Sequence, residues 1–180
     1  MSLAAAVICA AAFASFGWGV LRFFKKPGGP SPLAIVTAAL GLAFGIAHIH
    51  ALATASADVT RLSIGIAAHI AATLLFWSAI GACESPLTAI FETDLPVRLI
   101  ETGPYAYVRH PFYCAYGIFW IGGWVAAASL LTTLSVPVML GIYIYGAREE
   151  ERKFARSLLA GEYADYRRRV RAWWPRVTRR

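Results

Sequence analysis

Four long stretches without a single charged residue govern what this chain can become. Leu3–Leu21, Pro32–Ala57, Leu62–Cys83 and Pro111–Ala147 contain no Asp, Glu, Lys or Arg, and their only ionisable groups besides Cys and Tyr are His48, His50 and His69. A helix needs about 20 predominantly apolar residues to cross the ~30 Å hydrocarbon core of a bilayer. The first three runs are one crossing each, and the fourth is long enough for two. Gly122-Gly123 and the Ser129–Thr133 stretch offer flexible and polar residues for a turn between those two. The expected fold is an all-α integral membrane protein of about five transmembrane helices, with a cytoplasmic loop and a C-terminal amphipathic helix. Residues 1–83 would hold three N-terminal helices, and residues 84–180 a functional half.

Charge placement gives an orientation. Of 17 Lys and Arg, only Arg61 falls in the loop after the second run. With five crossings the others lie on one side, which places the N-terminus outside, the C-terminus in the cytoplasm, and the chain as a multi-pass protein of the inner (cytoplasmic) membrane. The first run has its basic residues, Arg22, Lys25 and Lys26, after it rather than before it, so it reads as a retained helix and not a signal peptide. The basic tail Arg167-Arg168-Arg169-Val170-Arg171 suits anionic headgroups, and no basic folded face suggests a nucleic-acid partner. Cys9, Cys83 and Cys114 fit no metal-site spacing and read as apolar filler. His48 and His50 point to different helix faces and are not an i, i+4 metal pair; with His69 they could meet in space around a metal, but neutral, hydrogen-bonded packing histidines are the expectation. Trp77, Trp120, Trp124, Trp173 and Trp174 read as interface anchors and helix-packing residues.

Two polar clusters bracket the fourth run. One is Gly103-Pro104-Tyr105-Ala106-Tyr107-Val108-Arg109-His110-Pro111-Phe112-Tyr113. The other is Glu149-Glu150-Glu151, flanked by Arg148, Arg152 and Lys153. If the run doubles back as a hairpin, its two ends become neighbours. Pro111 is suited to the first position of a helix, which puts Arg109 and His110 at a helix start where anions are favoured. Beyond Arg148 a cytoplasmic helix is expected, with Phe154, Leu158, Tyr166, Val170 and Trp174 as its apolar stripe. Glu150 and Glu151 lie near that stripe and Glu149 points away. Carboxylates so placed need partners, for which a ligand ammonium, ribose hydroxyls or Arg109 would serve. A ligand with an anionic group and a cationic or hydroxyl-rich part fits the pair of clusters, and S-adenosylmethionine is one such molecule. A topology-setting arginine in a structural Arg–Glu pair fits them as well. The long stretch Glu84–Thr102 between the third run and the first cluster is expected to cover the site.

Gly103-Pro104-Tyr105, Arg109-His110-Pro111-Phe112-Tyr113, the hydrophobic hairpin, Glu150-Glu151 and the Tyr163/Tyr166 pair together resemble the isoprenylcysteine carboxyl methyltransferase family, within the superfamily that includes the phospholipid N-methyltransferases. The resemblance covers residues 84–175 and is nearest to small bacterial members. It implies a membrane-embedded methyltransferase that uses S-adenosylmethionine, bound through Gly103, Tyr105, Arg109, His110, Tyr113, Glu150 and Glu151, with Tyr166 matching the second tyrosine of the tail pattern. Its acceptor would be a membrane lipid or lipophilic small molecule, which Arg98 and Glu101, with Arg109, would help to orient. Phe154–Leu159 intervenes between the glutamates and Gly161, a departure from eukaryotic members that argues against prenylcysteine itself as the acceptor. Two other classes fit parts of the pattern. Sterol-type NADPH reductases share Arg-His-Pro-x-Tyr, but Phe112 and Cys114-Ala115-Tyr116-Gly117 depart from their usual surroundings. A non-enzymatic membrane subunit is the other. Oligomeric state is open.

Overall fold

The computed structural model describes residues 1–25, 29–56, 58–83, 87–88, 96 and 98–176. Among these, six α-helices carry the fold: α1 Ser2–Phe23, α2 Pro32–Thr54, α3 Val59–Gly81, α4 Pro111–Ala126, α5 Leu130–Ala155 and α6 Ala160–Arg169. A 3₁₀ turn at Gly103–Ala106 precedes α4. Two-residue strands, β1 Phe24–Lys25 and β2 Leu87–Thr88, pair in parallel just beyond α1. The chain is an all-α integral membrane protein, and α1, α2, α3 and α5 are long and apolar enough to cross a membrane.

α4 is the remaining expected crossing. Its 16 residues extend about 24 Å, short of the ~30 Å core. It still runs from one end of the bundle to the other. Near its C-terminal end, the Arg61 side chain of α3 donates to the carbonyl of Val125 at 2.9 Å. At its start, Phe112 packs on Phe24 at the end of α1. Ser2 donates to the carbonyl of Ala55 at 3.0 Å, which puts the start of α1 beside the end of α2. The five helices close a ring in which α1 touches α2 and α3, α4 touches α3 and α5, and α5 touches α2.

Local sequence sets these boundaries. Ser31, Asp58 and Ser129 accept backbone N–H groups at the starts of α2, α3 and α5, and Ser129 with Thr132 forms a reciprocal capping box. The hairpin turn therefore falls at Ala127–Ser129. The Ser129 part of the expected turn is correct, but Gly122 and Gly123 are not part of it: they lie inside α4. They serve close packing. A Cβ on Gly122 would fall 2.4 Å from Ala68 Cβ, and one on Gly123 would fall 2.1 Å from His48 Nδ1. Without a hydrophobic drive between helices in lipid, such close backbone approach supplies the packing contacts.

The centre of the bundle is aromatic. Phe16, Phe76, Tyr116, Phe119 and Trp120 are buried and in mutual ring contact. Trp120 donates its indole N–H to Tyr143 at 2.9 Å, and Trp77 donates to Ser15 at 2.7 Å, so both tryptophans tie helices together. His48 is fully buried and its Nε2 lies 2.7 Å from Ser135 Oγ. Ser135 in turn donates to the Thr132 carbonyl, so it accepts from His48, joining α2 to α5. The expectation of hydrogen-bonded packing holds for His48 alone: His69 is buried among apolar side chains with neither ring nitrogen hydrogen-bonded among the described residues, and His50 is exposed.

The expected amphipathic helix from Arg148 onward is corrected. α5 continues without a break through Arg148 to Ala155. The chain then turns at residues 156–159, where Ser157 donates to the Phe154 carbonyl and accepts the Leu159 N–H, offering the backbone an alternative to helix. The break removes Leu158 and Trp174 from the stripe, and both are exposed, while Tyr163, Tyr166 and Val170 are buried. Phe154 stacks on Tyr163 with ring centroids 4.4 Å apart.

Gly123→Ala is expected to destabilise the bundle by about 1–3 kcal/mol through overpacking against His48. Gly141→Ala, whose Cβ would meet nothing within 4 Å, is expected to be neutral or slightly stabilising. Thermal melts of the two variants in detergent check the pair.

Candidate active site

The site is built where the start of α4 meets the end of α5. Pro111 is the first residue of α4, and His110 caps it with φ −125° and ψ 63°, as the sequence predicts. Pro111 supplies no N–H at a position where none is needed, and its ring keeps His110 out of helical geometry. One face of α5 presents Glu150 and Glu151 to this corner, while Glu149 forms an ion pair with Arg152 along the helix.

Glu151 is the anchor. Its Oε1 accepts from Arg109 Nη2 at 2.6 Å and Nε at 3.1 Å, and lies 3.2 Å from His110 Nε2. Arg167 of α6 approaches its other oxygen at 3.6 Å. Arg109 also donates through Nη1 to the Val170 carbonyl at 2.7 Å. Glu150 is placed differently. Its Oε1 accepts the Tyr113 hydroxyl at 2.6 Å, its Oε2 lies 3.4 Å from His110 Nδ1, and its side chain remains 37% exposed. The two carboxylates stand at the positive end of α4, where negative charge is favoured.

His110 sits between them and is buried. Burial opposes its charge, but its bonds to Glu150 and Glu151 outweigh that and raise its pKa above the ordinary 6.5. Tyr105 is pushed well above its usual range, chiefly by burial and then by Cys83.

A pocket opens beside Glu150. Tyr105, Arg109, His110, Tyr113 and Glu150 line it together with Phe24, Pro111, Phe112 and Tyr116. Its lining combines charged side chains with aromatic rings. Five of the expected site residues thus converge on one pocket, and Glu151 stands directly behind it through Arg109 and His110. Gly103 does not line it. Gly103 has φ +57°, and a Cβ there would fall 2.9 Å from Ala82 Cβ, so its role is to let the 3₁₀ turn pack against the end of α3. Tyr166 donates to the Tyr105 carbonyl at 2.7 Å and so holds that turn from the α6 side. Neither Arg98 nor Glu101 lines the pocket. Glu101 pairs with Arg169 at 2.7 Å, and Arg98 is exposed. Most of the expected covering stretch Glu84–Thr102 lies outside the described residues.

A family model for phospholipid methyltransferases matches residues 60–160. The chain belongs to the phospholipid methyltransferase family. Membership makes it a membrane methyltransferase, and the matched segment contains α3, α4 and α5 with both halves of the corner just described. A comparison with curated proteins returns no match. In this phospholipid methyltransferase family member, the segment after the match completes the corner. Arg109 N–H donates to the Arg171 carbonyl at 2.9 Å and His110 N–H to that of Ala172 at 3.3 Å. The Cys114 thiol donates to the Trp173 carbonyl at 3.4 Å. The Trp173 ring lies 5.6 Å from His110 and 6.4 Å from Tyr113, a place within the site corner that its reading as an interface-anchoring and helix-packing residue did not specify. Backbone bonds of this kind leave no signature in residue type, and Phe24 carried none either.

Arg109→Ala removes two bonds to Glu151 and one to Val170, and is expected to cost about 3 kcal/mol of stability, read as a lowered detergent melting temperature. The raised pKa of His110 stabilises the fold fully below pH 6.5, and that contribution disappears as pH rises through the raised value. The melting temperature should therefore decline over that interval in the parent protein, with a flatter profile in His110→Gln.

Proposed function

We propose that this membrane methyltransferase transfers a methyl group from S-adenosylmethionine to a lipophilic acceptor, with the site at the cytoplasmic face of an inner membrane. The observation that carries the reading is the pocket whose lining joins an incompletely satisfied carboxylate, Glu150, to the aromatic residues Phe24, Phe112, Tyr113 and Tyr116. A carboxylate and aromatic faces both favour a cationic ligand group. The positive-inside distribution of basic residues supports the orientation.

The residues fit such a cofactor in an altered division of labour. Arg109 was expected to receive the anionic end of the ligand, but its donors engage Glu151 and Val170. Arg109 and Glu151 then act as the clamp that shapes the pocket. Glu150 holds the cationic end, with Tyr113 fixing the rotamer of its carboxylate. S-adenosylmethionine supplies, when bound, a methyl group on a positively charged sulfur. The protein's part is to align that methyl with the acceptor and to keep water away. Alignment of this kind can provide about 7–11 kcal/mol of barrier reduction in good cases. The apolar edge formed by Phe24 and Phe112 suits the acceptor's hydrocarbon portion. Arg98 and Glu101 remain candidates to orient its polar end from the adjoining loop.

Calorimetry on purified protein tests the reading. S-adenosylhomocysteine should bind and raise the melting temperature, and NADPH should do neither. Glu150→Ala should weaken that binding at least tenfold. Unchanged affinity in Glu150→Ala, or stabilisation by NADPH alone, overturns the assignment. Incubation with labelled methyl donor and total membrane lipid then identifies the acceptor from the labelled product.

A further inference from the structure

His110 is the one imidazole in the corner, and both of its nitrogens face carboxylates. Nε2 lies 3.2 Å from Glu151 and Nδ1 lies 3.4 Å from Glu150. Satisfying both requires two N–H groups, which only the protonated ring has. The two contacts differ in quality. Glu151 is held from several directions, by Arg109 and Arg167 as well as by His110. Glu150 has one oxygen fixed by Tyr113, while the other has only the long contact to Nδ1 and borders the pocket.

Resting on the cofactor reading above, we infer that His110 gives up its Nδ1 proton to solvent when a cationic group of the ligand docks at Glu150. The exchange leaves the charge of the cluster unchanged: one positive charge enters at Glu150 Oε2 and one leaves from the imidazole. That balance matters because an additional uncompensated charge is costly in a partly buried site. The neutral ring keeps its Nε2–H bond to Glu151, so the α4–α5 contact survives. Its bare Nδ1 becomes an acceptor beside the ligand. His110 is thus a positioning residue that couples ligand charge to protonation.

The groups around the ring favour this response. Glu150 and Glu151 face it from α5, with Arg109 behind the latter. Tyr113 lies beside it on α4, and Trp173 covers it with an uncharged ring. Arg167 of α6 acts through Glu151. Tyr105 and Phe24 add no charge near neutral pH. The two carboxylates raise the His110 pKa above its ordinary value despite burial, which favours the protonated ring in the free site and supplies the proton to be released.

The test is calorimetric titration of the full-length protein near pH 7 in two buffers of different ionisation enthalpy. The ligands are S-adenosylmethionine and S-adenosylhomocysteine, which keeps the ammonium but lacks the sulfonium. The expected result is a buffer-dependent enthalpy that reports release of up to one proton. Release with both ligands identifies the ammonium as the group at Glu150, and release with S-adenosylmethionine alone identifies the sulfonium. Affinity should tighten, by up to tenfold per pH unit, as pH rises toward the raised His110 pKa of the free site, and level off above it. Glu150→Gln should bind more weakly and release no proton. Binding with no buffer dependence overturns the inference and leaves the cofactor reading intact. Unaltered proton release in Glu150→Gln also overturns it. No binding of either ligand overturns both.

Discussion

The contact between Arg109 and Glu151 is the one on which the rest of the site depends. It joins the residue before the α4 cap to the last polar turn of α5, and through the Val170 carbonyl it draws the C-terminal segment into the same knot. Two helices that pack by shape alone in lipid would be free to slide by part of a turn. A charge-assisted bond at their shared end fixes the register, because a one-residue slip would leave a partly buried guanidinium and carboxylate without partners. With the register fixed, Tyr113 meets Glu150, His110 meets both glutamates, and a pocket exists.

The division of labour between the adjacent glutamates follows from helix geometry. Successive residues on α5 point about 100° apart, so one faces Arg109 and α6 while its neighbour faces Tyr113 and the pocket. Glu151 belongs to the scaffold and Glu150 to the cavity. The distinction also explains why Arg109, chemically the most obvious anion receptor in the chain, is engaged within the protein.

Much of this was legible in the sequence. Uncharged runs mark the spans because lipid cannot satisfy a charge, and Pro111 marks a helix start because its ring tolerates that place and few others. The pairing of Arg109 and His110 with Glu150 and Glu151 followed once the last run was folded back on itself. What stayed hidden has physical reasons. Gly122 and Gly123 look alike as turn residues and as packing residues, and only the neighbours Ala68 and His48 decide between them. The break at Ser157 depends on a hydroxyl competing with a backbone bond, so the periodic pattern through Leu158 and Trp174 overstated the helix. The strap of Val170–Trp173 over the α4 start is made by main-chain atoms, which every sequence possesses.

The length of α5 has its own consequence. Glu150 stands twenty residues beyond Leu130, the first residue of the helix, a rise of about 30 Å and so close to the depth of a hydrocarbon core. If Leu130 marks one edge of that core, a carboxylate at that height falls at the opposite boundary between oil and water. A polar solute arriving from one phase and a greasy molecule confined to the other can touch there, and neither has to leave the medium in which it dissolves.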